Sequence, residues 1–209
     1  MQKKITFALT SCGRPDLLEI TLDSFLKYNT YPIDRFKIID DSKQPELFTL
    51  LVEKYPQIEW IFNTERLGQS ASIDILYNDI DTEYIFHCED DWEFLKSGFI
   101  EESLEYMELS PNTLQAWLRG PHDTNGHPLI IANKYDLLTR GYQGIWHGFS
   151  LNPGLRRLKE YLMAKPYSSI GWETELNKFY YERGYYAISL KTKYVKHIGW
   201  TRHIQDAAH

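Results

Sequence analysis

The segment ITFALTSCGRP, residues 5–15, joins a short run of β-branched and aromatic residues to a polar loop and a proline. The run over residues 5–10 predicts a β-strand, because it is short, apolar and closed by loop-forming residues. Pro15 suits the first turn of a helix, where the backbone N–H that proline lacks would be unpaired in any case. Behind it, apolar residues recur at helical spacing at Leu18, Leu22, Phe25 and Leu26. The segment therefore predicts a strand, a loop and a helix in succession.

The same strand–helix unit recurs up to residue 95. Further strands are predicted over residues 36–39, 59–62 and 84–88, each a short run rich in β-branched and aromatic residues. Three strand–helix units followed by a strand indicate an α/β fold. In such a fold a mostly parallel sheet is covered by helices on both faces.

Two helices are predicted between these strands. One begins at Pro45, and its apolar face is expected to consist of Leu47, Leu50, Leu51 and Tyr55. The other is expected to be capped by Ser70 or Ser72, because serine side chains bind the unpaired N–H groups of a helix start. Its apolar face is expected to consist of Ile73, Leu76 and Ile80.

The pattern changes after residue 95. Helices are predicted over residues 99–109, 155–163 and 172–183. Strands are predicted over residues 114–118, 129–132, 185–190 and 194–198, with a turn at Asn125-Gly126. No linker-like stretch divides the chain, so residues 1–209 are expected to form one domain whose second half extends the first sheet.

The composition excludes several classes of function. The 209 residues carry a formal net charge of −6, and the 23 Lys and Arg residues are scattered along the chain. A nucleic-acid partner or an anionic membrane surface would require clustered basic residues. The two cysteines suggest reduced thiols, and no apolar stretch approaches the roughly 20 residues of a spanning helix. With no signal-peptide pattern at the amino terminus, we expect a cytoplasmic protein without a membrane span.

Three of the predicted strands end in polar residues that an apolar core cannot use. These ends are Ser11 to Arg14, Asp40-Asp41 and Glu89-Asp90-Asp91. Ligands of parallel sheets collect beyond the carboxyl ends of the strands, so these side chains are expected to converge on one site. A turn that caps the next helix is an alternative role for Asp40-Asp41, and Arg14 could be a solvated side chain.

The acidic triplet predicts a divalent cation. Three adjacent carboxylates repel one another, and a cation offsets that cost. Mg²⁺ and Mn²⁺ prefer oxygen ligands and keep positions open for phosphate oxygens. A solvated acidic turn is the alternative interpretation.

Taken in order, these segments resemble the GT-A glycosyltransferases, nearest to glycosyltransferase family 2. The resemblance begins with residues 5–15 and continues through the ends of the second and fourth strands. It also includes the RLGQS, GFSLNP, GWETEL and HIGW segments, which begin at Arg66, Gly148, Gly171 and His197. It therefore covers nearly the whole chain and implies a GT-A, Rossmann-like fold. Residues 1–95 would form a nucleotide-binding half, and residues 96–209 a half for the donor sugar and the acceptor.

The resemblance implies a Mn²⁺- or Mg²⁺-dependent transfer from a nucleoside diphosphate sugar, by default a UDP-sugar, to a glycan or other hydroxyl acceptor. The metal ligands would be Asp91, His197 and Glu89, of which Glu89 replaces the family's usual Asp. The donor would be held by Thr10, Ser11, Arg14, Asp40, Asp41, Arg66 and Asp90. Glu173 would act as the general base of an inverting reaction, with Glu175 as its competitor. Sugar rings would stack on Trp117, Trp146 or Trp172, although each could equally belong to the core.

Two other classes of protein remain open at this point. The 15 Tyr, 10 Phe and 6 Trp residues would also suit a non-catalytic carbohydrate-binding protein. A sugar nucleotidyltransferase is the other alternative, but it would normally carry a Gly-rich basic loop with a lysine after the first strand. Here that loop offers only Gly13 and Arg14. The small chain leaves few residues for a separate acceptor domain, so a homo-oligomer or a partner could complete the acceptor site.

Overall fold

The computed structural model describes residues 2–124, 128–138 and 148–202. Its central element is a five-stranded sheet with the strand order β3-β2-β1-β4-β9. The strands are β1 (Ile5–Ser11), β2 (Arg35–Asp40), β3 (Ile58–Phe62), β4 (Tyr84–Glu89) and β9 (Gly154–Arg157). The first four pair in parallel, and β9 pairs antiparallel with β4. The predicted α/β fold with a mostly parallel sheet is confirmed.

Helices cover both faces of this sheet. The connecting helices are α1 (Pro15–Tyr28), α2 (Thr49–Lys54) and α3 (Gln69–Tyr77), and α4 (Phe99–Leu109) follows β4. Side chains alternate along β1, so that Phe7 packs with Phe25 of α1 while Ala8 packs with the cluster that contains Ile73 of α3. The rings of Phe7 and Phe25 lie 4.3 Å apart, and the ring of Phe86 from β4 lies 5.5 Å from Phe25.

The helix predicted at Pro45 begins differently from the prediction. A 3₁₀ turn over Pro45–Phe48 precedes α2 and shifts the buried face, because this turn has about three residues per turn. Phe48 is therefore fully buried, together with Leu51 and Tyr55. The prediction that Leu47 and Leu50 belong to this face is wrong, since their exposed fractions are 44% and 77%.

The start of α3 also differs from the prediction. The helix begins at Gln69 after Gly68, whose φ of +85° is a conformation that favours glycine. Ser72 already lies inside the first turn, where its N–H donates to the carbonyl oxygen of Gly68. The expected serine cap is absent at this helix, and Ile80 lies beyond its last residue, Tyr77.

Residues 155–163 were expected to be helical, but they contain the edge strand β9 followed by α5 (Leu158–Ala164). Leu155 is fully buried and pairs with Phe86 of β4. At Gly154 a Cβ atom would lie 2.9 Å from Nε2 of Gln115 and 3.3 Å from the carbonyl oxygen of Ala116, so β9 packs closely on β6 here. A short apolar run does not reveal by its periodicity whether it pairs as a strand or starts a helix.

The second half extends the first sheet only through β9. A four-stranded sheet has the order β6-β10-β8-β7, and a two-stranded sheet pairs β11 with β5. These strands are β5 (Trp92–Phe94), β6 (Thr113–Trp117), β7 (Leu129–Ile130), β8 (Tyr135–Leu138), β10 (Tyr186–Leu190) and β11 (Val195–His197). The expectation of one extended sheet is thus wrong, because side-chain patterns do not specify which strands pair across the chain. The Asn125-Gly126 turn lies outside the described residues, and the single domain stays a prediction.

Two short helices complete the second half, α6 (Tyr167–Ile170) and α7 (Glu173–Tyr181). Helix α6 contacts α3, and Ser70 at the start of α3 donates to the carbonyl oxygen of Gly171 just before α7. The start of α7 is thereby held beside the carboxyl end of the central sheet. Across residues 2–124, 128–138 and 148–202, every helix is too short or too polar to cross a bilayer.

Candidate functional site

A cavity of about 390 Å³ lies at the carboxyl ends of β1 and β4. Most of the residues predicted from the sequence line it together: Thr10, Ser11, Arg14, Asp41, Arg66, Glu89, Asp90, Asp91 and His197. They come from strand ends and loops as far apart in the chain as residues 10 and 197. The predicted convergence is thus observed. Asp40 and Glu173 lie near this group, but their side chains are not part of the cavity lining.

Asp90 forms a buried ion pair with Arg14 in the wall of the cavity. The Asp90 side chain is fully buried, and its Oδ2 accepts hydrogen bonds from Ser11 Oγ at 2.9 Å and from Arg14 Nε at 3.2 Å. Burial raises the pKa of Asp90 to about 6, although the charge of Arg14 opposes this shift. Asp90 therefore holds Arg14 and the β1 loop in place, and its expected contact with the donor stays a prediction.

Asp91 occupies a different environment one residue later. Its Oδ2 lies 2.9 Å from Nη1 of Arg14 and 3.2 Å from Nε2 of His197. Burial alone would raise the pKa of Asp91. The hydrogen bond from His197 and the charge of Arg14 outweigh that effect and hold the pKa below its usual value. Asp91 is therefore an ionised carboxylate that lines the cavity, as a cation ligand requires.

Glu89 at the end of β4 completes the acidic triplet. Its Oε1 accepts a hydrogen bond from Gln69 Nε2 at 2.8 Å, and its Oε2 accepts one from Trp92 Nε1 at 3.2 Å. Burial and the nearby charges of Asp91 and Glu173 raise the pKa of Glu89 to about 8. In the absence of a cation, Glu89 is thus largely protonated at neutral pH. The same shift shows that Glu173 lies within electrostatic reach of this carboxyl.

Asp40 and Asp41 hold loops around the cavity. Asp40 accepts hydrogen bonds from Gly13 N at 2.8 Å and from Ser42 N at 2.9 Å, and it is almost fully buried. This arrangement matches the alternative role in a turn and leaves the expected donor contact of Asp40 without support. Asp41 lines the cavity while its carboxylate binds the N–H groups of the loop before α3, at Leu67 and Gly68.

His197 lies at the end of β11 and reaches the site through close packing of the carboxy-terminal segment. Its ring packs at a tilt against Trp92, with the centroids 4.8 Å apart, and edge-on against Trp200, with the centroids 4.7 Å apart. The N–H of Ile198 donates to the carbonyl oxygen of Asp91 at 2.9 Å. A Cβ atom at Gly199 would lie 2.2 Å from Asp91 Oδ2, so only glycine allows this approach.

One side of the cavity is formed by the end of β1 and the loop before α3. Thr10 and Ser11 are buried lining residues, whereas Arg66 is exposed. Cys12 lies between them, and burial raises the pKa of its thiol to about 11, although Arg66 opposes this shift. A thiol that stays protonated at neutral pH is a poor nucleophile.

The two carboxylates proposed as base differ in their surroundings. Glu173, the first residue of α7, is half-buried, and its Oε1 accepts the N–H of Leu151 at 2.9 Å. Glu175 is exposed and turns back to accept the N–H of Trp172 at 3.0 Å, which caps the helix. Its own backbone N–H is the main cause that lowers the pKa of Glu175. The structure thus gives Glu175 a role in the fold and leaves Glu173 as the candidate base.

The tryptophans predicted to stack on sugars have different environments. Trp172 lines the cavity with 43% of its surface exposed. Trp117 is 4% exposed and donates its indole N–H to the carbonyl oxygen of Gly148, so it belongs to the core. Trp146 lies outside the described residues. Trp200 lines the same cavity with 60% exposure, and the sequence analysis did not select it for stacking.

Sequence reasoning also missed Gln69, Arg119 and Asn152, which line the cavity. Gln69 binds Glu89, and Arg119 lies over the Trp92 ring at 5.4 Å. Gln69 and Asn152 lie within segments that the resemblance selected, RLGQS and GFSLNP. For Arg119 the only signal was a charged residue directly after a strand-like run.

A metal ion fits the donor set only in part. Among the described residues, no group of three or more His, Cys, Asp or Glu side chains is arranged to hold an ion. The 3.2 Å between Asp91 Oδ2 and His197 Nε2 nevertheless suits adjacent ligands of an octahedral ion, for which bonds of about 2.1 Å separate neighbours by about 3 Å. Mg²⁺-like ions commonly use one or two protein ligands and complete their shell with water and substrate phosphates. The two side chains fit that pattern.

Comparison with known proteins identifies a family model and several similar structures. The sequence matches the model of glycosyl transferase family 2 over residues 6–157, more than half of the chain. No curated protein sequence matches it significantly. Similar solved structures include the mannosyltransferase PcManGT from Pyrobaculum calidifontis in complex with GDP-Man and Mn²⁺ and the S. aureus protein TarS.

PcManGT is 15% identical, with a TM-score of 0.67 over 90% of this chain and 55% of that chain. TarS 1–349 in complex with UDP-GlcNAc is 12% identical, with a TM-score of 0.67 over 96% of this chain and 62% of that chain. A further TarS structure is 13% identical, with a TM-score of 0.67 over 92% of this chain and 36% of that chain. At these identities the likeness shows the fold, and the chain spans between 36% and 62% of the lengths of these structures.

Proposed function

The chain belongs to glycosyltransferase family 2, and from this membership we propose that it transfers a sugar from a nucleoside diphosphate sugar to a hydroxyl acceptor. The observation that carries the proposal is the pairing of Asp91 with His197 inside the cavity at the carboxyl ends of β1 and β4. An ionised carboxylate and an imidazole on one wall of such a cavity suit a diphosphate bound through a divalent cation.

In this proposal Asp91 and His197 hold Mn²⁺ or Mg²⁺, with Glu89 as a further ligand when it is ionised. A bound divalent cation would act as a Lewis acid that takes up charge on the leaving diphosphate. Deprotonation of Glu89 would be favoured by the cation, because an opposite charge nearby stabilises a carboxylate. The Mn²⁺ in the PcManGT complex supports the proposal that a protein of this fold binds a divalent cation.

Glu173 would be the general base. Its Oε1 is committed to the N–H of Leu151, so the proton of the acceptor hydroxyl would go to Oε2. The deprotonated oxygen attacks the anomeric carbon from the face opposite the diphosphate. The bond to the diphosphate breaks as the new glycosidic bond forms, and the configuration is inverted. A positioned general base of this kind contributes roughly 10²–10⁴-fold to the rate.

The donor nucleoside would lie against Thr10, Ser11, Asp41 and Arg66, which line the same cavity. Arg14 is placed between Asp90 and Asp91, so it holds the carboxylates and adds positive charge beside the diphosphate. Asp40 would support this wall through the β1 loop. We keep a UDP-sugar as the donor, in line with the UDP-GlcNAc bound by TarS, although PcManGT binds GDP-Man.

The acceptor would be a glycan or another hydroxyl compound that packs on Trp172, whose exposed ring lines the cavity. A homo-oligomer that completes the acceptor site stays a prediction. We also propose a cytoplasmic location, which agrees with the free thiols of Cys12 and Cys88.

The experiment that tests this function is hydrolysis of a panel of UDP- and GDP-sugars in the presence of Mn²⁺, followed by ¹H NMR of the released sugar. We expect one donor to be cleaved, with loss of cleavage in chelator and an anomer inverted relative to the donor. Retention of configuration would contradict the role of Glu173. A folded protein that binds sugars and cleaves none of the donors would favour the carbohydrate-binding alternative.

A further inference from the structure

Residues 148–152 form an irregular segment next to the cavity. Four of them, from Gly148 to Leu151, are buried, and none lies in a helix or strand. A buried backbone N–H that lacks a partner costs free energy, and an irregular segment has no neighbouring strand to supply acceptors. Side chains must therefore bind these N–H groups.

Three consecutive N–H groups, from Phe149 to Leu151, are each bound by a side chain from another element. The acceptors, in chain order, are Asn177 Oδ1 at 2.7 Å, Gln115 Oε1 at 3.1 Å and Glu173 Oε1 at 2.9 Å. Two carbonyl oxygens of the segment accept in turn from Trp117 Nε1 and from Arg156 Nη2. Side chains thus bind both N–H groups and carbonyl oxygens of the segment, and the proposed base, Glu173, is one of the acceptors.

Asn177 binds both this segment and the start of α7. It lies one turn after Glu173 on α7 and is 1% exposed. Its Nδ2 donates to the carbonyl oxygen of Glu173 at 2.7 Å, while its Oδ1 accepts from Phe149. The side-chain amide donates through its nitrogen and accepts through its oxygen, whereas an ionised carboxylate can only accept. One side chain therefore fixes both the backbone of Glu173 and the segment that binds its carboxylate.

We propose that Asn177 is a positioning residue that sets the orientation of the Glu173 carboxylate through residues 149–151. This inference rests on the proposed role of Glu173 as the base. With Asn177 in place, Oε1 of Glu173 accepts from the N–H of Leu151, and Oε2 of Glu173 has a fixed orientation towards the acceptor. Without it, both the start of α7 and the Leu151 N–H shift. A displacement of about 1 Å in a reacting group can cost 10²-fold in rate.

The first arm of the test needs no substrate. Hydrogen exchange of the Phe149 and Leu151 amides is compared between the wild type and Asn177→Ala. We expect exchange to be at least tenfold faster at both amides, because the hydrogen bond to Phe149 is lost and the one to Leu151 is weakened. Faster exchange at Phe149 with no change at Leu151 would overturn the proposal, since Asn177 would then not act on the residue that binds Glu173.

The second arm is a double-mutant cycle on donor hydrolysis with Mn²⁺. We expect Asn177→Ala to lower kcat by about 10²-fold while the Kd of the donor stays within about twofold. In the Glu173→Gln background the same substitution should have almost no further effect, because the oriented carboxylate is already gone. Equal effects in both backgrounds would show a general structural role and overturn the inference. If Glu173→Gln itself leaves kcat unchanged, the assignment of the base fails, which is a separate result.

Thr82→Val is the matched control. Thr82 is 3% exposed, and its hydroxyl lies 2.8 Å from that of Thr6 near the amino-terminal ends of β1 and β4, away from the cavity. The control loses a buried hydrogen bond, as Asn177→Ala does, and should leave kcat and the exchange of Leu151 unchanged. Where Asn177→Ala does not fold, Asn177→Leu serves, because leucine nearly preserves the side-chain volume, adds no charge and loses both hydrogen bonds.

Discussion

Replacement of Gly199 by alanine tests whether the carboxy-terminal segment packs on the proposed cation ligand. The added Cβ atom would lie 2.2 Å from Oδ2, 2.7 Å from Cγ and 2.8 Å from Cβ of Asp91. Ordinary contacts between such atoms are about 3.5 Å, so the overlap requires a movement of about 1 Å. The movement cannot be confined to the segment, because the Ile198 N–H is bound to the carbonyl oxygen of Asp91 at 2.9 Å.

The expected result is a loss of both cation affinity and activity. A carboxylate displaced by about 1 Å no longer shares an ion with His197, and turnover should fall by about 10²-fold. Binding of Mn²⁺ is measured by electron paramagnetic resonance, and turnover by hydrolysis of the donor. Thr201→Ala is the control, because Thr201 is exposed in the same segment and adds no atom near Asp91. Unchanged Mn²⁺ affinity and turnover in Gly199→Ala would refute the packing of this segment on Asp91.

Three further predictions follow from the contacts of single side chains. Glu173→Gln should lower kcat by about 10²–10⁴-fold with little change in donor Kd. Glu175→Gln should instead lower the unfolding temperature and keep turnover. Kinetics and thermal unfolding of both variants would show this difference. Tyr77→Phe removes the hydroxyl that lies 2.8 Å from Nδ1 of the buried His87. This variant should have a free energy of unfolding lower by about 1–3 kcal/mol and unchanged donor binding. A urea titration that shows no change in the free energy of unfolding would contradict this prediction. In metal-free protein, Glu89 has a pKa of about 8 when folded, above its value in the unfolded chain, so the stability it contributes is complete in acid and declines as pH rises towards about 8. Glu89→Gln should remove this part of the pH dependence, and an unaltered profile of unfolding against pH would count against the shift.

The first half of the fold could be predicted because its signals are local. Pro15 starts α1, and the strand predicted over residues 84–88 lies within the observed Tyr84–Glu89. Alternation of apolar runs and loops fixes the type of each element, and parallel strands bring their carboxyl ends to one edge. The site could therefore be located from the sequence before any contact was known.

The second half was harder because its strands depend on distant partners. Leu155 is a strand residue only because β9 finds an edge at β4, about 70 residues earlier in the chain. The same limit applies within the acidic triplet. Asp90 and Asp91 are adjacent and chemically identical, yet Asp90 is fully buried against Arg14 and Ser11, whereas Asp91 also contacts His197. The turn between β4 and β5 sets these different surroundings, and the sequence of the triplet does not reveal them.

The role of Asp40 shows a related limit. A pair of aspartates after a strand suits both a turn and a ligand site, and here the Asp40 carboxylate is used by the N–H groups of Gly13 and Ser42. Ser42 belongs to the turn that the sequence suggested, whereas Gly13 comes from the loop after β1, so the sequence around Asp40 does not reveal that second partner. Gly199 illustrates the converse case, because its importance arises entirely from an approach to Asp91.

The most direct test of the central claim is calorimetric titration of UDP and GDP into the protein with Mn²⁺ and then with chelator, for the wild type and Asp91→Asn. The account predicts that one nucleotide binds to the wild type only with Mn²⁺. It also predicts that Asp91→Asn loses this binding and all turnover while its unfolding transition stays cooperative. Binding that is equally tight in chelator, or that persists in Asp91→Asn, would contradict a cation site at Asp91 and with it the proposed mechanism.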